Sequence, residues 1–166
     1  MYSGEKVILR LCSDEILKSL ENDFNCLGIE ELLYSELFAK KKNNLDYHFA
    51  IENAHTGDYI GICSISNTSV KNRNTEISIV IKDKRLLGKG YEEDALKLLV
   101  DMMFREYNIN KIKAKVSELD ENIIKSFKNV GFKEEGKLRE EVYKDFKYHD
   151  LILVSLFKKD YIENHI

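Results

Sequence analysis

Alternating apolar and polar positions organise the middle of the chain, from Thr75 to Tyr107. Ile77, Ile79 and Ile81 fall on one side of an extended segment, Glu76, Ser78 and Val80 on the other, as the two-residue period of a strand requires. From Ala95 onward, Leu96, Leu99, Val100, Met103 and Tyr107 recur at helical spacing. Between the two patterns lies the short basic run Arg85-Leu86-Leu87-Gly88-Lys89-Gly90, which holds two of the chain's eight glycines. The prediction is strand, glycine loop, helix.

The same reading extends outward. Glu5–Leu11 predicts a first strand with Val7, Leu9 and Leu11 on one side, and Ser13 caps a helix over Asp14–Phe24. A second helix is expected at Glu30–Lys41, ending in the polar break Lys40–Asn44. Asp46–Ile51 and Asp58–Ile65 predict an antiparallel pair, and after the polar loop Val70–Asn74 the Glu76 strand completes a meander. Lys111–Val116 reads as a strand. Asp120–Val130 reads as a short helix capped by Asp120 and ended by Gly131. Lys137–Tyr143 and Leu151–Phe157 predict a last hairpin turning at Asp145-Phe146-Lys147. Its second strand is apolar on both faces, which suits a position inside a sheet. The fold class is therefore α/β (α+β), one domain over residues 1–166 with a mixed, mostly antiparallel sheet of about seven strands and about four helices.

Composition narrows the function. The 166 residues are 43% hydrophobic and 33% charged, enough for one sizeable core in a soluble domain. A net charge of −3 argues against nucleic acid as partner. No apolar run is long enough for a bilayer and no secretory h-region stands at the start, so cytoplasm is the default. Cys12, Cys26 and Cys63 are odd in number and widely spaced, as free thiols are. His48, His55, His149 and His165 are scattered without ligand spacing, so no metal site is expected. Glu134-Glu135 and Glu140-Glu141 attract a polycation or merely solvate a hairpin. Met102-Met103-Phe104 reads as core packing.

The glycine loop carries the candidate chemistry. Glycines let a backbone approach a ligand closely, and the first amides of a helix have no internal acceptor. Together with the positive end of the helix dipole they suit phosphate oxygens, and Arg85 adds a positive charge. An ordinary tight turn is the alternative. The lysine and hydroxyl residue of a nucleotide P-loop do not follow, and the dinucleotide fingerprint is missing. Arg85-x-x-Gly88-x-Gly90 instead resembles the acetyl-CoA-binding loop of the GCN5-related N-acetyltransferases (GNAT family). Gly131-Phe132-Lys133-Glu134-Glu135-Gly136-Lys137-Leu138-Arg139 and Thr56-Gly57-Asp58-Tyr59-Ile60-Gly61 are similar to two further segments of that family. The branch most resembled holds ribosomal-protein N-terminal and spermidine N-acetyltransferases.

The resemblance implies acetyl-CoA as cosubstrate, a GNAT-like fold and no metal. It implies cofactor contacts from Val80 and Ile81, from Arg85, Leu86, Leu87, Gly88, Lys89, Gly90 and Tyr91, and from Asp120 and Phe127. Backbone groups of Ser78–Ile81 are the family's partners for the pantetheine arm and the developing oxyanion. Glu76 occupies the place of the branch's acidic residue in Asn72-Arg73-Asn74-Thr75-Glu76 and is the candidate catalytic base. Its alternative is a solvated strand residue paired with Arg73 or a lysine. Three positions depart from the family. Phe127 stands where many members place a thiolate-protonating tyrosine, Asp120 where the branch often has Asn, and Glu92 where it often has a third glycine. Ser126 and Tyr143 are substitute acids or structural residues, and Tyr91 doubles as a packing residue. The helical region before Asp46 overhangs the acceptor site in the family, and a homodimer stays open.

The activity expected is acetyl transfer to a primary amine, such as a protein N-terminus, a polyamine or another small amine, by direct attack in a ternary complex. The rivals are a CoA-binding module with weak or no catalysis, and an interaction domain that retains the fold.

Overall fold

Period-two alternation gives each strand two unlike faces, so a sheet of such strands needs cover on both sides. The computed structural model of the protein describes residues 1–26 and 46–165. Its elements are, in order, β1 (Tyr2–Ser3), β2 (Val7–Leu11), α1 (Asp14–Cys26), β3 (Tyr47–Asn53), β4 (Tyr59–Ser69) and β5 (Asn74–Ile81). A short 3₁₀ turn (Lys84–Leu86) leads to α2 (Tyr91–Arg105), β6 (Lys111–Ser117), α3 (Glu121–Val130), β7 (Lys133–Lys144), β8 (Lys147–Phe157) and α4 (Lys158–His165).

One eight-stranded sheet runs in the order β1-β2-β3-β4-β5-β6-β8-β7. Every neighbouring pair is antiparallel except β5 and β6, which are parallel because α2 returns the chain to the end at which β5 began. Ile77, Ile79 and Ile81 are 3–6% exposed and pack with Leu96, Leu99 and Val100 of α2 and Phe127 and Val130 of α3. On the opposite face Ala50, Ile62 and Val80 meet Leu20 of α1 in a second, smaller cluster. Each large apolar side chain so buried contributes about 1.5–3 kcal/mol. Val80 thus belongs to the α1 face, as its alternation with Ile79 and Ile81 dictates.

Local signals formed as read in several places. Ser13 Oγ accepts from the Ile16 N–H at 3.3 Å, capping α1. Gly131 ends α3 in the left-handed region (φ 115°). β8 lies between β6 and β7, which agrees with its two apolar faces.

The fold class is as read, a mixed, mostly antiparallel sheet with four helices among the described residues; β1, adding to the edge of β2, makes its eighth strand, and α4 follows Phe157. Other expectations need correction. Leu11 is 57% exposed, since the last residue of β2 lies past the helices that cover Val7 and Leu9. Tyr107 lies beyond α2. The helix stops at Arg105, Asn108 takes a left-handed conformation (φ 50°), and the Tyr107 ring tilts against Tyr47 at 6.2 Å. Asp120 occupies the cap position of α3 but makes no side-chain capping bond, its ψ of 65° turning it off the usual geometry. The helix expected at Glu30–Lys41 and the break at Lys40–Asn44 lie outside the described residues.

Candidate active site

Two halves of the sheet follow different partners, and a cleft opens where they part. β5 stays paired with β4 as far as Ile81, and β6 stays paired with β8 as far as Ser117. Between them only Asn74–Lys111, Thr75–Ile112 and Glu76–Lys113 are in register. Beyond that last rung β5 and β6 no longer pair, while each stays paired with its neighbour on the other side. Among the described residues the β6-facing edge of β5 from Ile77 to Ile81 has no strand partner, and a narrow cleft is lined by Ser78, Ile79, Lys115, Val116, Ser117, Asp120, Ile123 and Phe127. Unsatisfied backbone N–H and C=O groups at such an edge are the donors and acceptors an extended ligand needs.

The glycine loop sits at the open end of that cleft. Gly88 (φ 74°) and Gly90 (φ 90°) are both left-handed, a conformation that L side chains rarely adopt, and Gly90 is the N-cap of α2. Leu86 and Leu87 pack against the core and anchor the loop, as does Tyr91. A Cβ on Gly88 would stand 3.1 Å from Asn122 Oδ1, so the loop lies close to the start of α3. The Arg85 guanidinium is not aimed over the loop. It forks onto Asp83, with Nη2 2.9 Å from Oδ2, and that partner holds the Asp83 carboxyl below its ordinary range.

Lys6 and Asp94 complete the loop, and neither was a sequence candidate. Lys6 Nζ donates to the Lys89 carbonyl at 2.8 Å and lies 5.7 Å from the Tyr91 ring centre. Asp94 Oδ2 accepts from the backbone N–H of Lys6 at 2.8 Å and of Val7 at 3.0 Å, tying the first turn of α2 to the β1–β2 connection. These partners are 83 to 88 residues apart in sequence, so no local pattern announces them. The position of Glu92 does carry a local signal, an acid where a third glycine is common. Its side chain is fully buried, and Oε1 accepts from the Gly88 N–H at 3.0 Å.

Glu76 stands on the last rung shared by β5 and β6. A bulge in β4 between Ser66 and Ser69 turns Asn67 left-handed (φ 50°), and Asn67 Nδ2 donates to Glu76 Oε2 at 3.0 Å. Lys113 Nζ lies 3.7 Å from Oε1. Of the pairings weighed for Glu76, the lysine is the one that forms. Arg73 instead donates to the backbone and side-chain oxygens of Asn108, each at 3.1 Å. The Glu76 side chain keeps 25% of its exposure, so it is held without being sealed. Ser78 follows on the same face and shares a hydroxyl–hydroxyl bond with the buried Ser64.

The residues weighed as acids part company. Phe127 is 1% exposed, lines the cleft and meets Phe132 edge to face at 4.9 Å. The Ser126 hydroxyl donates within its own helix to the Asn122 carbonyl at 3.0 Å. Tyr143 is 60% exposed on the β7–β8 hairpin, packed on Tyr148. Cys63 is buried, and the loss of water pushes its thiol well above the ordinary range. Asp120 lines the cleft with Phe127.

Comparison with known proteins agrees with this layout. Residues 7–133 match the family model described as an acetyltransferase (GNAT) domain. A putative ribosomal N-acetyltransferase of Bacillus subtilis is 31% identical over 107 residues, 64% of this chain and 58% of the relative. The spermidine N(1)-acetyltransferase of Escherichia coli K12 is 28% identical over 109 residues, 66% of this chain and 58% of the relative. The chain thus spans less than two thirds of the length of these curated relatives. Among solved structures, spermidine N-acetyltransferase of Vibrio cholerae in complex with CoA and spermine superposes with a TM-score of 0.76 at 22% identity, covering 95% of this chain and 98% of that one. With a parted pair of parallel strands, a glycine loop at the cleft's mouth and a family model that takes in three quarters of its length, the chain belongs to the GNAT acetyltransferase family.

Proposed function

We propose that this chain is an acetyl-CoA-dependent N-acetyltransferase whose acceptor is a primary amine, a polyamine or protein N-terminus among the candidates. The observation that carries the reading is the unpaired edge of β5 from Ile77 to Ile81, opening beside the left-handed glycines of the loop. Bound acetyl-CoA supplies an activated acyl group as its thioester. The diphosphate is bound at the Gly88–Gly90 turn and the N-terminal turn of α2, where the Gly88 N–H is at present held by Glu92 Oε1 and Lys6 braces the Lys89 carbonyl. Backbone groups of Ser78–Ile81 receive the arm and donate to the carbonyl oxygen as charge develops on it.

An alkyl amine with a pKa of ~10 arrives mostly protonated, so a base must take a proton before attack. Glu76 fills that role: Asn67 and Lys113 fix its carboxylate at the apex of the cleft. Phe127 has no proton to give, and a thiol of pKa ~8.5 departs tolerably as thiolate without an acid. This favours modest turnover, and it supports a second reading, a cofactor-binding module with slow catalysis. The residues act as one domain in the cytoplasm, and a homodimer is compatible with the exposed hairpin of β7 and β8.

Thermal unfolding with and without acetyl-CoA, followed by an amine panel scored for release of free thiol, tests the proposal. The cofactor is expected to raise Tm by mass action, and at least one amine to release CoA. Replacing Gly88 and Gly90 by leucine should abolish the Tm shift. A shift that survives both replacements would move the site elsewhere, and binding without thiol release for any amine would leave the second reading.

A further inference from the structure

The first turn of α2 carries three acids, Glu92, Glu93 and Asp94, and two of them are accounted for. Asp94 holds the backbone of Lys6 and Val7, and Glu93 pairs with Lys97 at 2.9 Å and Asn129 at 3.1 Å. Glu92 differs. It is fully buried, Oε1 occupies the Gly88 amide, and Oε2 is buried with no hydrogen-bond partner among the described residues. A buried carboxylate oxygen without a partner is costly unless something else stabilises the charge. Here that is the positive end of α2 itself, the same field and amides that draw a phosphate. An anion belonging to the protein therefore already sits on the loop built for an anion.

Resting on the cofactor reading above, we propose that Glu92 sets the affinity of the loop for the diphosphate of acetyl-CoA. It does so as a resident counter-anion, engaging the Gly88 N–H and offsetting the helix dipole, so that the diphosphate must displace or repel it. The loop is kept in its binding shape by its own carboxylate, and tight cofactor binding is given up in exchange. No other described acid combines full burial with a hold on a loop amide.

Glu92→Gln keeps the shape and the acceptor oxygen for Gly88 but removes the charge, and Glu92→Gly removes both. Isothermal titration of the full chain with acetyl-CoA is expected to show the Gln variant binding on the order of tenfold tighter, as one unit charge removed a few ångströms from a dianion implies. S-acetylpantetheine, which carries the same thioester arm and no phosphate, should bind wild type and variant alike. Glu93→Gln, an equal change in net charge at a residue already paired with Lys97, should change acetyl-CoA affinity by no more than about two- to threefold. Circular dichroism checks that each variant is folded, and Glu92→Gly serves should the Gln variant fail. Equal acetyl-CoA affinity in wild type and folded Glu92 variants overturns the proposal, as does a gain of the same size for S-acetylpantetheine. If no form binds acetyl-CoA, the cofactor reading falls and takes this one with it.

Discussion

A carboxylate on the last rung before two strands part is held by whatever the neighbouring strands bring to it. Glu76 is held by Asn67 from the β4 bulge and by Lys113 from β6, residues that sequence distance alone separates from it by 9 and by a whole crossover. Removing its charge while keeping its shape isolates the proposed base. Glu76→Gln is expected to cut kcat by about 10²–10⁴-fold while leaving the acetyl-CoA dissociation constant within about twofold of wild type. Equal losses in both would mean that Glu76 only braces the strand junction. The residues of the glycine loop divide in the same manner. Gly88 and Gly90 are required by their left-handed backbone, whereas Leu86, Leu87 and Tyr91 pack against the core.

Helix α2 is the element on which the site depends, since its first turn forms the loop's floor and its apolar stripe forms the core. Asp94 ties that turn to the edge strands through two backbone N–H groups. Hydrogen bonds to a charged acceptor matter more than neutral ones, and their loss leaves two donors without this acceptor. Asp94→Ala is therefore expected to destabilise the fold by about 2 kcal/mol, read as a lower urea midpoint, and to weaken acetyl-CoA binding by freeing the loop. Asp94→Asn, which keeps one acceptor oxygen, should recover part of both. Packing around Gly4 makes the same joint sensitive from the other side: a Cβ there would collide with the Asp94 carboxylate.

Across the whole molecule, two tyrosines pin terminal segments to α2 and its end, and they give the fold a limit at high pH. Tyr161 of α4 donates to Asp101 at 3.0 Å, and burial, then that bond, push its phenol up to about 12. Tyr2 of β1 donates to Glu106 at 2.7 Å, and that bond, then burial, push it to about 12 as well. A folded-state pKa raised above the unfolded value of ~10 means stability that is complete below pH ~10 and is lost as pH climbs toward 12. Urea midpoints should accordingly hold steady up to about pH 9.5 and fall above it. Tyr161→Phe and Tyr2→Phe should each flatten part of that fall. A midpoint that declines equally in the double variant would assign the effect to other groups.

The local alphabet was legible because local physics writes it. Period two placed Ile77, Ile79 and Ile81 in the core, Ser13 and Gly131 marked the helix ends they form, and the spacing of Arg85, Gly88 and Gly90 marked the loop. Those features need only neighbours within a few residues, so the chain itself determined the strand, the loop, the helix and the family they resemble. Tertiary structure decided what the loop and the strand meet. The rung at which β5 and β6 separate, the Lys6 ammonium under Lys89, the grip of Asp94 on β2 and the partners of Glu76 all join residues far apart in the chain, and side-chain periodicity says nothing about register between strands. Glu92 lies between the two. Its identity as an unusual acid is visible in the sequence, but its burial against the Gly88 amide follows only once the turn of α2 folds it under the loop, because a carboxylate's role is set by the water and donors around it.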